Sequence, residues 1–168
     1  MRQRTLLLMR HAKSDYPAGV ADHDRPLAPR GIREAGLAGE WLRANAPGVD
    51  AVLCSTATRA RETLAHTGVE APVRYVERLY GATPGMVIDE INTVSDDVGT
   101  LLVVGHEPTM SALALGLAGA PVDGASIDAA ERISIKYPTS AIAIFAVSCA
   151  WKDVELGRAT LTGFEVPR

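Results

Sequence analysis

Apolar positions along the chain follow two alternating patterns. In Thr5-Leu6-Leu7-Leu8-Met9, five consecutive large apolar or β-branched residues run without polar alternation. Such a run predicts a strand covered on both faces, the habit of a parallel sheet flanked by helices. Thr100-Leu101-Leu102-Val103-Val104-Gly105 repeats the pattern, and shorter apolar runs at 49–54 and 73–76 predict two further strands. Between the runs the period becomes helical. Ile32, Ala35, Gly39 and Leu42 predict a helix over 29–46, closed by Pro47-Gly48, with Arg30, Arg33, Glu34, Glu40 and Arg43 free to face solvent. Residues 55–64 read as a turn and helix after the second strand, with Ser55 or Thr56 placed to cap. Thr83-Pro84 opens a helix carrying Met86, Val87, Glu90, Ile91 and Val94, while Met110, Leu113, Ala114 and Leu117 mark a fourth, stopped by Gly119.

The carboxyl-terminal third reads differently. Residues 121–132 are small and polar and predict irregular chain, after which 133–137, 141–147 and 154–161 look like strands without helix-length segments between them. Short connections of that kind imply antiparallel pairing. The expected fold is therefore a three-layer α/β/α sandwich, its central sheet mostly parallel with antiparallel strands toward the carboxyl terminus. At 168 residues and 47% hydrophobic content the chain suffices for one well-buried core, so a single domain spanning 1–168 is expected.

Charge and cysteine usage narrow the field. A net charge of -3 and a pI near 5.8 leave no broad basic footprint, which argues against nucleic acid as the main partner. Cys54 and Cys149 lie in apolar runs without CxxC or Cys/His ligand spacing, and read as buried free thiols suited to a reducing compartment. Met1-Arg2-Gln3-Arg4 resembles the basic start of a signal peptide, but the apolar run behind it is short and leads straight into Arg10-His11. No stretch is long enough to span a bilayer, and a cytoplasmic protein without membrane attachment is expected.

Chemistry-bearing residues cluster at predicted strand ends, where ligands bind in parallel sheets. Arg10 and His11 end the first strand, His106 ends its twin, and Arg59 lies in or near the first turn of the helix after the second strand. Residues 15–29 form a long loop after the first strand and carry Asp22-His23-Asp24-Arg25-Pro26-Leu27. Taken singly, each of these has a bland reading: an ion pair for Arg25 with Asp22 or Asp24, a solvent-facing helical arginine for Arg59, a surface or loop position for His23 and His66. Jointly, two arginines and two histidines suit a phosphoryl group, whose oxygens match guanidinium forks. HExxH is absent and no carboxylate-histidine cluster has ligand spacing, so neither metal nor cofactor is expected.

Leu8-Met9-Arg10-His11-Ala12 resembles the Arg-His-Gly signature of the histidine phosphatase superfamily, the phosphoglycerate mutase-like proteins, with Ala12 in place of the usual glycine. Cys54-Ser55-Thr56-Ala57-Thr58-Arg59-Ala60 is similar to the family's Ser-Pro-x-x-Arg-Ala stretch, and Val104-Gly105-His106-Glu107-Pro108 to its second histidine motif. The 22–27 segment and Pro138-Thr139-Ser140-Ala141-Ile142-Ala143 resemble phosphohistidine phosphatases of the SixA type, compact members without the insertions that roof the mutases.

The resemblance implies that His11 is the nucleophile, taking the phosphoryl group as a covalent phosphohistidine that water hydrolyses. It implies that Arg10, Arg59 and Arg25 hold the nonbridging oxygens, that His106 donates a hydrogen bond to the same group, and that Ser14 adds a weaker contact. Mutase-like relatives take their general acid from the loop after the third strand, which makes Glu77 the first candidate. Asp22 matches a SixA-type aspartate and is the second candidate for the acid, unless it helps bind substrate or simply orients Arg25. A phosphohistidine substrate needs less acid help, since imidazole leaves more readily than an alkoxide, so a site without an acid is the third reading. The expected partner is a phosphorylated protein or a small phosphorylated metabolite, with the protein favoured because few residues remain to build a lid, although 121–132 lies where it could partly cover the site. The alternatives are a small-metabolite phosphomonoesterase and a binding module that reads phosphate without turnover.

Overall fold

The computed structural model describes residues 2–46 and 48–168. Met1, and Pro47 at the expected end of the first helix, lie outside the described residues. Six strands form one sheet: β1 (Arg4–Arg10), β2 (Ala51–Ser55), β3 (Val73–Val76), β4 (Thr100–Gly105), β5 (Ile142–Val147) and β6 (Ala159–Glu165), in the order β3-β2-β4-β1-β5-β6. β1 to β4 are parallel, β5 runs antiparallel to β1, and β6 antiparallel to β5. The expected mostly parallel sheet with antiparallel strands toward the carboxyl end is therefore what the chain builds.

Among the described residues five α-helices cover it: α1 (Pro29–Asn45), α2 (Thr58–Thr67), α3 (Pro84–Ile91), α4 (Thr109–Leu117) and α5 (Gly124–Ile135). Side chains alternate across a strand, and in β1 both sets are apolar because both faces are covered. Leu7 and Met9, with Val52, Cys54, Leu102 and Val104, pack against Ala38 and Leu42 of α1 and Ala60 and Leu64 of α2. Leu6 and Leu8, with Leu53, Leu101 and Val103, pack against Val87 and Ile91 of α3, Met110 and Leu113 of α4, and Ala129 and Ile133 of α5. Burying one such side chain contributes about 2 kcal/mol. The two layers hold β1 and β4 rigidly side by side, so their carboxyl ends are fixed relative to each other.

Helix α1 buries a stripe rotated from the expected one. Gly31, Glu34, Ala35, Ala38, Gly39 and Leu42 face inward, while Ile32 is exposed. The glycines decide the rotation. A Cβ at Gly31 would stand 2.0 Å from the Lys13 carbonyl oxygen, and one at Gly39 2.0 Å from that of Thr67. Glu34 is thereby buried, and its carboxylate meets Arg30 Nε at 3.0 Å and Arg168 at 3.1 Å.

The region from 121 departs furthest from expectation. Where irregular chain and a strand over 133–137 were expected, α5 forms, capped by Asp123, whose carboxylate accepts from the Ser126 N–H at 2.9 Å. It buries only Ser126, Ala129 and Ile133, leaving Ile127 and Ile135 in solvent. It packs along β6, where Ser126 Oγ donates to the Leu161 carbonyl, and it does not line the cleft at the carboxyl ends of the parallel strands. The expected strand 154–161 begins at Ala159, because a turn with Gly157 at φ +79° comes first. Among the described residues no helix is long and apolar enough to cross a membrane.

Candidate active site

The carboxyl ends of β1, β2 and β4, the start of α2 and the loop before α1 converge on a cleft of about 190 Å³. Arg10, His11, Ser14, Arg25, Arg59 and His106 line it, together with Lys13, Tyr16, Glu107 and Thr139.

His11 stands just past β1, and its N–H donates to the Gly105 carbonyl at the end of β4. Its Nδ1 lies 2.7 Å from the Ala12 carbonyl oxygen. A carbonyl can only accept, so Nδ1 carries the proton and Nε2 keeps its lone pair. Burial is the main force holding the His11 pKa down to about 3, and His106, Arg59 and Arg10 add to it against the raising effect of the Ala12 bond. The imidazole is therefore neutral at pH 7. The Ala12 N–H is held in turn by Thr63 Oγ1 at 2.8 Å, and that hydroxyl donates to the Arg59 carbonyl at 2.6 Å. This chain of bonds ties the His11 loop to the first turns of α2.

His106 packs beside His11 with ring centroids 5.1 Å apart. Its Nε2 meets Ser55 Oγ at 2.7 Å, while its Nδ1 is buried without a hydrogen-bond partner. Burial, then Arg59, lowers its pKa to about 4, partly offset by Asp22.

Arg10 donates through one terminal nitrogen to the Tyr137 carbonyl at 2.9 Å. Ser140, at φ +68°, donates its N–H to the carbonyls of Arg10 and His11. Holding a residue other than glycine in that left-handed conformation costs about 1 kcal/mol, which this double latch offsets. Segment 137–140 is thus pinned to the end of β1.

Arg25 and Arg59 are joined through Asp22. The Asp22 carboxylate accepts from Arg25 Nε at 3.1 Å, Arg59 at 3.1 Å and the Tyr80 hydroxyl at 2.5 Å, and its carbonyl accepts from Arg59 at 2.7 Å. These bonds, that of Tyr80 first, hold the carboxyl at about 2, so Asp22 is ionised at any physiological pH. Arg25 also donates to Ser14 Oγ at 2.9 Å, and its guanidinium lies 3.9 Å over the Tyr16 ring.

Of the residues singled out from sequence, Arg10, His11, Ser14, Arg25, Arg59 and His106 come together, and Asp22 joins them through the arginines without lining the cleft. Glu77 does not. It sits exposed on the short turn Glu77–Leu79 and hydrogen-bonds none of these groups. Glu107 does line the cleft, but its carboxylate is engaged at the start of α4 by the N–H and hydroxyl of Ser111, at 2.6 and 2.8 Å. Tyr80, Ser55, Thr63 and His23 are additions. His23 packs its ring against Tyr80 at 4.9 Å and meets Thr56 at 3.0 Å, so it supports the residue that holds Asp22 and is not a free loop residue. Ser55 could have been suspected from its place at a strand end; Tyr80 gave no signal, because Asp22 is 58 residues away. Among the described residues no three His, Cys, Asp or Glu side chains gather as a metal ion would need.

Comparison with known proteins agrees with this geometry. The family model of the histidine phosphatase superfamily (branch 1) matches residues 6–93. An uncharacterized protein of Mycobacterium tuberculosis, Rv1276c, is 71% identical over 160 residues, 95% of this chain and 100% of that one. The structure of a candidate phosphohistidine phosphatase SixA from Nakamurella multipartitia superposes with a TM-score of 0.89 at 39% identity, covering 99% of this chain and 98% of the other. A second, from Agrobacterium tumefaciens, gives 0.78 at 26% identity over 98% of each. Sequence motif, sheet order and cleft thus lead to one assignment: the chain belongs to the histidine phosphatase superfamily, as a hydrolase of SixA-like architecture that removes phosphoryl groups.

Proposed function

We propose that the protein hydrolyses phosphohistidine on a partner protein, with His11 as the nucleophile. The observation that carries the reading is the His11 imidazole, neutral, with Nδ1–H fixed on the Ala12 carbonyl and Nε2 left to attack among three guanidinium groups. In the first step a bond forms between His11 Nε2 and phosphorus while the phosphorus–nitrogen bond to the substrate imidazole breaks, and that ring, protonated on its other nitrogen, leaves as neutral imidazole. Water then attacks phosphorus, the bond to Nε2 breaks, and phosphate leaves. Arg10, Arg25 and Arg59 hold the nonbridging oxygens as charge spreads over them, Ser14 positions Arg25, and His106 faces the same group.

Asp22, ionised by its neighbours, orients Arg25 and Arg59 and is no proton donor. With Glu77 outside the cleft, the reaction proceeds without a carboxylic acid, which an imidazole leaving group tolerates. Among the described residues no long insertion roofs the cleft, and α5 lies along β6, which supports entry of a protein side chain. Two buried free cysteines suit a reducing cytoplasm, and burial pushes the Cys54 thiol up to about 12, which leaves it inert.

The test offers the purified protein phosphohistidine-containing proteins beside sugar and nucleotide phosphates and compares kcat/KM. Preference for the phosphoproteins is expected; exclusive turnover of metabolites would overturn the substrate. Acid quenching during turnover should trap acid-labile phosphate on His11, and an adduct on another residue would overturn the mechanism.

A further inference from the structure

Beside the cleft, and sharing Arg10, Lys13 and Thr139 with it, lies a second cavity of about 200 Å³ whose other charged walls are Arg30, Lys136 and Arg168. Five cationic side chains and no acidic side chain line it. Composition does not explain this, because the chain has 17 Lys and Arg against 20 Asp and Glu. Elsewhere on the surface Arg74, Arg78, Arg132 and Arg158 each face a carboxylate. Here one buried carboxylate, Glu34, serves both Arg30 and Arg168, and among the described residues neither Lys13 nor Lys136 has an ion-pair partner.

Like charges held this close repel one another, and an anion relieves the repulsion. The cavity is also fixed relative to His11. Its 137–140 wall is pinned by Arg10 to the Tyr137 carbonyl and by the Ser140 N–H to the Arg10 and His11 carbonyls. Its other side is set by the close approach of Gly31 to Lys13. An anion bound there lies at a set offset from the attacked phosphorus, with Arg10 between the two.

We propose that this annex is a second anion subsite, which takes a carboxylate or phosphate group of the substrate while the reacting phosphoryl group occupies the cleft. The inference rests on reading the cleft as the phosphoryl site and does not depend on which molecule carries that group. Substrates with a second negative charge next to the phosphoryl are selected over singly charged ones. The chemistry fits acidic side chains flanking a phosphohistidine, and equally a second phosphate on a small molecule.

The experiment compares the full chain with Lys136→Gln and Lys136→Glu, exposed changes outside the cleft, after confirming equal Tm. Four substrates are used: an aryl monophosphate, a phosphohistidine peptide flanked by Asp and Glu, the same peptide flanked by Asn and Gln, and a sugar bisphosphate. Turnover of the aryl phosphate should stay within about twofold, whereas Lys136→Glu should lower kcat/KM on a doubly anionic substrate about three- to tenfold, mainly through KM. High salt should erase the same advantage in the parent. A loss confined to the acidic peptide supports the subsite and identifies protein carboxylates as its ligand. A loss confined to the bisphosphate, with neither peptide turned over, supports the subsite and overturns the phosphohistidine reading. If the parent hydrolyses both peptides equally, shows no preference for the bisphosphate and is unaffected by either substitution, the subsite is wrong and the phosphohistidine reading stands.

Discussion

Strand β1 begins at Arg4 and ends at Arg10, and the two ends of the sheet treat the same side chain in opposite ways. Arg4 is buried, yet both terminal nitrogens are satisfied: one donates to the Cys149 carbonyl at 3.3 Å, the other to the Asp96 carbonyl at 3.2 Å with the Asp96 carboxylate 3.6 Å away. The surroundings continue that closure, with Trp151 Nε1 on the Val98 carbonyl and Asn92 on the carbonyls of Trp151 and Val154. Among the described residues the Arg10 guanidinium has one hydrogen bond, to the Tyr137 carbonyl, and shares its cleft with Arg25, Arg59, Lys13 and two histidines that burial keeps neutral. Burial lowers the Arg10 pKa, Glu107 pulls it back, and Arg59 lowers it further. A charge compensated by the chain's own carbonyls is structural; at the other end one carboxylate, Asp22, serves both Arg25 and Arg59, and the cationic excess that remains is met when an anion arrives.

The largest effect that tests this contrast is at His11. His11→Ala should reduce turnover of an aryl phosphate about 10⁴-fold or more while leaving the fold intact, as a stopped assay beside a thermal melt would show. Substantial residual turnover would move the chemistry away from the β1 end. Next, Arg59→Ala should lower kcat about 10²- to 10³-fold, the usual effect of removing one preorganised donor to developing charge. That change removes the bonds to Asp22 but also a repelling cation, so its loss of Tm should be no larger than that of the structural arginine. Arg4→Ala reverses the balance: it removes hydrogen bonds to the buried Cys149 carbonyl and the half-buried Asp96 carbonyl and costs about 1–2 kcal/mol of stability, with kcat unchanged. Should Arg59→Ala unfold the protein and Arg4→Ala silence it, the two ends would have been assigned the wrong way round.

The end that carries chemistry was the more legible of the two. Unalternating runs such as Leu6-Leu7-Leu8-Met9 and Leu101-Leu102-Val103-Val104 announce doubly covered strands, and polar residues that interrupt them abruptly, His11 and His106, announce strand ends. What stayed hidden depends on partners remote in sequence. Tyr80 belongs to the site only because Asp22 and His106 fold against it, and Glu34 is buried only because glycines 31 and 39 turn α1 toward neighbouring backbone. Helix α5 is hard to see in the sequence because its apolar residues are spread over both faces: Ile133 is buried and Ile135, two positions on, is almost fully exposed, a spacing that mimics a strand edge. Glu77 illustrates the converse. Its spacing in sequence fits a family acid, but the turn it stands on faces solvent.

The smallest effect concerns the neutral histidines themselves. His11 titrates near 3 and His106 near 4 in the folded chain, against about 6.5 unfolded. Above pH 6.5 neither state carries the proton and stability is flat. Below it the unfolded chain takes up protons that the native chain refuses, so stability falls with pH until the native imidazoles protonate in turn. At pH 5.5 each histidine costs roughly 1 kcal/mol. Asp22 does not interfere, because its contribution is fully present above the ordinary aspartate range and is lost only as pH falls through about 2. His11→Asn, which can still donate to the Ala12 carbonyl, deletes one of the two titrations. Between pH 7 and 5.5 its Tm should therefore fall by about 2–4 °C less than that of the parent. Parallel melting curves would mean that His11 takes up protons in the native cleft as readily as in the unfolded chain, so that burial does not hold the attacking imidazole neutral.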